Sequence, residues 1–303
     1  MILLLNKLGF SHHDHRHRHR RHRMSEVNLA SLHAFRLLVS ENLNRVLESL
    51  KLGSELLSLT WIHHCFQMVP IINIAFAKLM VEIDYRVASW EASSIDEYLD
   101  YTISLLDLLN SISSSISHVN QARVSLAHAS CLMQSSHVVF EPVNEIKKHD
   151  AIMELKLSGG HDVDKKCNEK ELIFHEAMKV LESIGFWVCG VVLSGLKGEV
   201  DPVMEIVGKM VSVDSSLMAL DSIFKKKTME KRGFLKEVEE VNESVCLIVS
   251  SGIDDSNGGM ELKRRLDMVR NGLKRLKDEE ELLFGTIMDA RNEVLEILRR
   301  NYS

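Results

Sequence analysis

The sequence predicts an all-α fold, an elongated antiparallel helical bundle with a long C-terminal heptad helix. Of its 303 residues 45% are hydrophobic, which is enough to bury a sizeable core. Only 6% are aromatic and only three are prolines, whereas sheet proteins of this size need more turns and more aromatic residues. Apolar residues recur at three- and four-residue steps along most of the chain, which is the helical period.

Residues 1–24 form a head that differs in composition from the rest. Residues 12–23 contain six histidines and five arginines, which cannot build a core, so we predict a disordered head. Imidazoles bind transition-metal ions, but the arginines oppose cations and nothing fixes a geometry, so we predict no metal site here. The tract offers contact with a membrane surface of anionic lipid, more strongly below pH 6.5, where the histidines gain charge.

The formal net charge of −6 combines this basic head with an acidic body, and an acidic body predicts no nucleic-acid partner. The five cysteines are widely spaced and form no C-x-x-C pair, which predicts reduced thiols in a cytoplasmic protein. The arginine-rich start leaves organellar targeting open, although it lacks the serine content of most transit peptides.

Residues 25–134 are predicted to form the N-terminal helices of the bundle. The first helix begins at Ser25, with Gly53 as its C-terminal stop. The second covers residues 56–82 and is apolar on most of its circumference, which is typical of a central helix. We expect Pro70 to kink or divide it, because proline removes a backbone donor.

The third helix is predicted from a capping-box pattern. Ser94 and Glu97 have the spacing in which a hydroxyl and a carboxylate satisfy free backbone donors of a first turn. The apolar period then continues to about Met133. Residues 135–168 follow with weak periodicity and contain Pro142 and two adjacent glycines, so we predict a flexible connector with one short helix at 143–155.

Residues 169–303 are predicted to form the C-terminal helices. The first covers 169–196, and its uncharged half, Ile184 to Leu196, is shorter than the roughly 20 residues of a membrane span. We therefore favour a buried core helix over membrane contact. Three glycines at five-residue steps permit close helix contact there: Gly185, Gly190 and Gly195.

One or two helices are expected over 203–250. Asp201 and Pro202 mark their start as N-cap and first helical residue. The run 252–259 is expected to form a loop.

The heptad helix is predicted over residues 260–301. Alternating steps of four and three residues give eleven positions, of which ten are apolar. This heptad seam is Leu262, Leu266, Val269, Leu273, Leu276, Glu280, Leu283, Ile287, Ala290, Val294 and Ile297. A seam of this length must be buried, either in the chain's own bundle, which we favour, or in a coiled coil with a partner.

The sequence lacks the common patterns that are typical of catalytic sites. The sequence has no phosphate-binding glycine loop, no dinucleotide fingerprint and no G-x-S-x-G. His175 and Glu176 begin like a zinc-protease helix, but Lys179 stands where the second imidazole is needed. We therefore predict no catalytic, cofactor-binding or metal residue and no enzyme activity.

Two further clusters have structural interpretations. In the run His63-His64-Cys65, neighbouring side chains on a helix diverge by about 100°, so the three cannot share one ion. The acidic cluster at residues 278–281 is typical of a solvated helix face rather than of acid–base chemistry.

Five segments of the chain form a recognisable set. They are Val87-Ala88-Ser89-Trp90, Asp96-Glu97-Tyr98-Leu99-Asp100, Leu105-Leu106-Asp107-Leu108-Leu109-Asn110, the upstream Ser58-Leu59-Thr60-Trp61 and the later Phe186-Trp187-Val188-Cys189-Gly190-Val191-Val192. Together they resemble the plant BYPASS family. The resemblance extends from about residue 27 to the end. It implies a protein without known enzymatic activity that restrains a root-derived mobile signal arresting shoot growth, and related plant proteins bind an exocyst subunit.

The resulting hypothesis is a non-enzymatic helical regulator of plant root and shoot development that acts through protein partners. The alternative is a peripheral membrane or exocyst-linked trafficking adaptor that uses Ile184 to Leu196 and the basic head. An enzyme with an unrecognised helical site is a third hypothesis, which would need polar groups converging inside the bundle.

Overall fold

The computed structural model describes residues 25–51, 55–135, 168–207, 214–230, 235–251 and 256–301. These residues form eight α-helices and a 3-10 turn at Val87–Ser89, without a strand, so the predicted all-α class is confirmed. The helices are α1 Glu26–Lys51, α2 Leu59–Glu82, α3 Ala92–Ser135, α4 Glu169–Lys197, α5 Val203–Val207, α6 Ser215–Glu230, α7 Lys236–Ser251 and α8 Ser256–Asn301. The predicted head, Gly53 and the connector between 136 and 167 lie outside these ranges, and the division into two halves stays a prediction.

The bundle is built around α2, α3, α4 and α8, and most neighbouring helices run antiparallel. Arg291 near the end of α8 binds the carbonyl of Leu99 near the start of α3, while Lys277 reaches Ser113 further along. Some neighbouring pairs run parallel instead, among them α1 with α4, α3 with α4 and α2 with α8. Ser135, where α3 ends, and Asn168, which precedes α4, lie towards opposite ends of the bundle, so α3 and α4 run parallel.

Helix α4 lies at the centre of the structure. Every side chain from Val180 to Lys197 is buried, so the interpretation of its uncharged half as core is confirmed. Trp187 meets Trp61 of α2 edge to face, with ring centroids 6.5 Å apart. The glycines permit close contact, as expected: a Cβ on Gly190 would lie 2.6 Å from the sulfur of Met204.

The ends of the helices show which capping signals the chain uses. Helix α4 begins with a capping box that sequence reasoning missed, in which Asn168 Oδ1 accepts from the amide of Glu171 at 2.9 Å. The predicted capping box of α3 is wrong, since α3 begins at Ala92. Ser94 and Glu97 are buried in its first turns, where they contact other segments instead. Asp201 does cap the following turn, accepting from the amide of Val203 at 3.0 Å.

Three other boundaries differ from expectation. Pro70 lies inside an unbroken α2, because the residues on both sides of it belong to the same core. Residues 203–251 contain three helices, where one or two were expected. The predicted loop at 252–259 is wrong from Ser256 onward, where α8 begins. Each glycine near a helix end lowers the stability of the helix by only about 1 kcal/mol, and the long helix that follows offsets this loss.

The heptad seam of α8 is buried within the chain. Ten of its positions, Glu280 included, are buried, and Ile297 packs partly buried against the same core. The covering helices are α2, α3 and α7. The Glu280 carboxylate accepts from Lys277 Nζ at 2.7 Å, and the same ammonium donates to the Ser113 hydroxyl at 2.6 Å. The charge that interrupts the seam is therefore paired.

Replacing Leu273 with aspartate should lower the free energy of unfolding by about 3 kcal/mol or more, because a charge would be buried without a partner. Leu273 is 2% exposed, whereas its neighbour Lys274 is exposed and provides the matched control. Lys274→Asp should cost less than about 1 kcal/mol. Urea unfolding followed by circular dichroism measures both. Equal stabilities of the two variants would contradict burial of the seam.

Candidate functional site

Five aromatic side chains gather at the end of the bundle where α2 and α8 end and α3 and α4 begin. The ring of Phe174 lies 4.9 Å from Trp90, 5.6 Å from Phe76 and 6.0 Å from Tyr85, measured between centroids. Tyr98 completes the cluster, 5.4 Å from Trp90. Edge-to-face pairs of this kind add about 0.5–1.5 kcal/mol each beyond the area they bury. The cluster joins α2, the turn that follows it and the start of α3 to the start of α4, which is distant from them in sequence.

The connection between α2 and α3 holds these rings in place by hydrogen bonds. The indole N–H of Trp90 donates to the carbonyl of Tyr85 at 3.1 Å. The Tyr85 hydroxyl lies 3.5 Å from the Ser94 hydroxyl and accepts from the amide of Glu91 at 3.4 Å. Asp84 turns the chain with a φ of 49°, a left-handed conformation that aspartate tolerates better than most residues. The sequence between the helices is therefore a fixed turn.

A pocket, here called the aromatic pocket, opens beside this cluster. Its enclosed part is about 30 Å³, room for about two water molecules, and the pocket with its open mouth is about 480 Å³. The lining consists of Asn73, Phe76, Ala77, Met80, Val81, Tyr85, Arg86, Val87, Trp90, Tyr98 and Val294. These residues come from α2, the turn, α3 and α8, so the pocket exists only when all four are assembled.

Buried ionisable groups lie between α3 and α4, next to the cluster. His175 Nδ1 pairs with the Glu97 carboxylate, and its Nε2 lies 3.8 Å from Glu171. The hydrogen bond to Glu97 raises the pKa of His175. About two turns further along α4, burial raises the pKa of Glu182 to about 8, and the carboxylates of Glu97 and Asp100 add to the effect. The charged form of the histidine and the neutral form of the glutamate are thus favoured at one helix interface.

The chemistry of the pocket favours binding over catalysis. Burial raises the pKa of the phenols of Tyr85 and Tyr98, so both stay protonated at neutral pH and do not serve as bases. The residues that line the pocket include no serine, cysteine or histidine that could pair as nucleophile and base. Within the part of the chain that the structure describes, no three His, Cys, Asp or Glu side chains lie together as metal ligands.

The residues singled out in the sequence have separate positions. His63 is partly buried, His64 is exposed and Cys65 is buried, so the three diverge as expected. The histidine-rich tract lies outside the described residues. Of the cysteines the structure describes, 65 and 189 are buried, 131 and 246 are exposed, and none of the four belongs to a disulfide bond.

The acidic cluster is only in part a solvated face. Asp278 and Glu281 are exposed, as expected, but Glu280 is buried and Glu279 lies 2.5 Å from His63 Nδ1. The expectation is wrong for these two residues. Glu280 pairs with Lys277 of the same helix on the side that faces α3, and Glu279 pairs with His63 of α2.

Sequence reasoning missed the aromatic pocket. The local signal was present, because Tyr85, Trp90 and Tyr98 fall within fourteen residues of a chain with only 6% aromatic residues. Phe174 of the aromatic cluster and Val294 of the pocket lining are distant in sequence, and no pattern distinguishes them from other core residues.

A second surface has exposed apolar side chains where α7 ends and α8 begins. Leu247, Val249 and Met260 are each more than half exposed. We name these three residues the hairpin tip, because α7 and α8 pack antiparallel through Arg265 and the carbonyl of Glu240. Single exposed apolar residues are common, and a contact surface needs several of them to be contiguous.

Two helices are long and apolar enough to cross a membrane by length and composition. They are α2 and α4, whose most apolar windows are 61% and 94% buried inside the bundle. Core helices of soluble proteins pass the same test, so this finding is weak evidence for membrane contact.

Fold and site define the class of protein: an all-α helical bundle with an aromatic pocket at one end. No protein-family model matches the chain, and no solved structure matches it. The chain is similar to Protein BPS1, chloroplastic, from Arabidopsis thaliana, with 22% identity over 272 residues, 81% of this chain and 78% of that protein. It is also similar to UPF0496 protein 4 from Oryza sativa subsp. japonica, with 23% identity over 175 residues.

The rice match covers 51% of this chain but only 38% of the rice protein, so the chain spans much less than the whole of that relative. The Arabidopsis match covers most of the helical bundle. Both relatives are plant proteins, which agrees with the resemblance noted from the segments around Trp90 and Trp187.

Stability should fall between pH 5 and 8.5. A raised pKa of His175 means that its ion pair stabilises fully below the unfolded-state pKa, about 6.5, and is lost as the pH rises through the folded-state pKa. A Glu182 pKa of about 8 means that ionisation penalises the folded state increasingly as the pH rises from about 4.5 to 8. The slope due to Glu182 is at most about 1.4 kcal/mol per pH unit.

Glu182→Gln should remove that part of the slope and leave the part that belongs to His175. Urea unfolding at pH 5, 6.5 and 8.5 measures it. Glu176→Gln is the control, because Glu176 lies on the same helix but pairs with Arg36 at the surface. A Glu182→Gln variant with the wild-type slope would show that this carboxyl is not held neutral.

Proposed function

We propose that this chain is a member of the BYPASS family and a non-enzymatic regulator of plant root and shoot development that restrains a root-derived mobile signal. The similarity to Protein BPS1 over 81% of the chain supports this more than any other observation. The match covers 78% of that protein as well, so it concerns most of both chains.

Regulation of this kind works through contact with other proteins, and the hairpin tip is the surface we propose for it. Leu247 and Val249 extend from α7, and Met260 from the first turns of α8. Apolar side chains that a folded bundle leaves exposed become buried when a partner covers them, which is where contact energy concentrates.

The alternative function is a peripheral membrane or exocyst-linked trafficking adaptor. The apolar half of α4 supports it by composition, but this half is buried inside the bundle. Contact with lipid through it would require α4 to lose its cover from α2 and α3. The regulator therefore accounts better for the position of α4, and we propose a cytoplasmic protein that contacts membranes at most through its basic head.

Expression of the chain in Arabidopsis plants that lack Protein BPS1 should restore shoot growth. Leu247→Asp should abolish the restoration, because a charge at the hairpin tip opposes burial under a partner. Val27→Asp is the matched control on α1, since Val27 is 69% exposed and Leu247 is 65% exposed. Shoot size and protein level in matched lines measure the outcome.

No restoration by the wild-type chain at normal protein level would refute the proposed function. Restoration by Leu247→Asp as complete as by Val27→Asp would refute the hairpin tip as the contact surface. Membrane pellets washed with high salt distinguish the alternative, because ionic contact through the head is screened while apolar contact persists.

A further inference from the structure

We propose that the aromatic pocket is a binding site for a small uncharged molecule whose body is a single ring or a short branched hydrocarbon. Nine of the eleven lining residues are apolar or aromatic. Apolar pockets with a few polar groups are the usual form of small-molecule sites. This inference goes beyond the proposed function and does not depend on it.

Asn73, Tyr85 and Arg86 of the lining already use polar atoms in hydrogen bonds within the protein. The Asn73 amide donates to the carbonyl of Val69 at 2.8 Å and to the Tyr101 hydroxyl at 3.3 Å. The Tyr85 hydroxyl is engaged by Ser94 and by the amide of Glu91. Arg86 donates from Nε to Asp84 at 3.1 Å. A charged ligand would lose its hydration without finding a dedicated partner, so the site selects an uncharged one.

The charges around the pocket are balanced, which leads to the same conclusion. Arg86 and Lys170 lie beside Asp84 at the rim, with the Lys170 ammonium 3.9 Å from the Asp84 carboxylate. Glu91 and Glu171 act on Tyr85, while Glu293 and Arg291 act on Tyr98. Four of these residues are acidic and three are basic, so the charges nearly cancel and no strong field attracts an anion or a cation into the pocket.

The rim also favours a small molecule over a protein partner. A protein large enough to cover the mouth would bury the charges of Asp84, Arg86 and Lys170, and desolvating them is costly. A small molecule can pass between them, because Val81 provides an apolar edge that is 39% exposed.

The dimensions of the pocket set the size of the ligand. The enclosed 30 Å³ is about a fifth of the apolar cavity of about 150 Å³ that takes benzene, so only the edge of a ring or a short branch enters it. The rest of the ligand lies in the open mouth of the pocket. Rings entering here would meet Phe76, Trp90 and Tyr98, which offer faces and edges for aromatic contact.

Fluorine NMR titration of the full chain tests the proposal, with 4-fluorobenzyl alcohol as the neutral probe and 4-fluorobenzoate as its charged counterpart. The alcohol should bind saturably with a Kd of about 1 mM or tighter, and the benzoate at least about tenfold more weakly. The indole N–H resonance of Trp90 should shift on binding, while those of Trp61 and Trp187 should stay in place.

Val81→Phe should weaken binding of the alcohol by about tenfold or more, because the ring fills the mouth from a partly exposed position. Ile71→Phe is the matched control: Ile71 lies on the same helix, is 40% exposed and does not line the pocket. Ala77→Leu fills the pocket from a second position and should act like Val81→Phe. Circular dichroism establishes that each variant is folded.

Absence of saturable binding of the alcohol to the wild-type chain would overturn the proposal. Wild-type affinity in folded Val81→Phe and Ala77→Leu would overturn the location, as would an equal loss in Ile71→Phe. Benzoate binding as tightly as the alcohol would overturn the selection for an uncharged ligand.

Discussion

Helix α4 needs cover on every side, and the rest of the bundle supplies it. From Ile184 to Leu196 the helix has no charged residue and is buried on its whole circumference. Burying each large apolar side chain is worth about 1.5–3 kcal/mol, so an uncovered face of α4 would be a large loss. α2 and α3 flank it, while α5 covers Gly190 through Met204. Three glycines of α4 have no side chains, so the neighbouring helices approach its backbone closely.

Because α4 runs from the surface into the core, some of its ionisable side chains are buried. A helix that begins at the surface and ends in the core must pass from charged to apolar residues, and α4 does so between Glu171 and Ile184. His175 and Glu182 lie in this transition. Each has a raised pKa, the first because of the ion pair with Glu97 and the second because of burial. These two groups therefore make the interface of α3 with α4 sensitive to pH.

The sequence predicted where the helices lie along the chain, but it did not predict which side chains contact each other. The period of apolar residues located α1, α4 and α8 within a few residues, because an amphipathic stripe is a local property. It did not reveal that Glu280 is paired, since Lys277 and Ser113 come together only in the bundle. Ser94 and Glu97 illustrate the same limit: the capping pattern was present, but contacts with Tyr85 and His175 from other segments determined its use.

The pocket follows from the same geometry as the pH-sensitive interface. At the end of the bundle where α4 begins, its residues are no longer uniformly apolar, so it no longer fills the space between α2, α3 and α8. Phe174 fills part of that space, and its neighbour His175 faces Glu97 on α3. The remaining space becomes the pocket, since Trp90 and Tyr98 are too rigid to close it. Phe174 packs against Trp90 of the pocket wall and precedes His175, so the first turns of α4 contact both the pocket wall and the ion pair with Glu97.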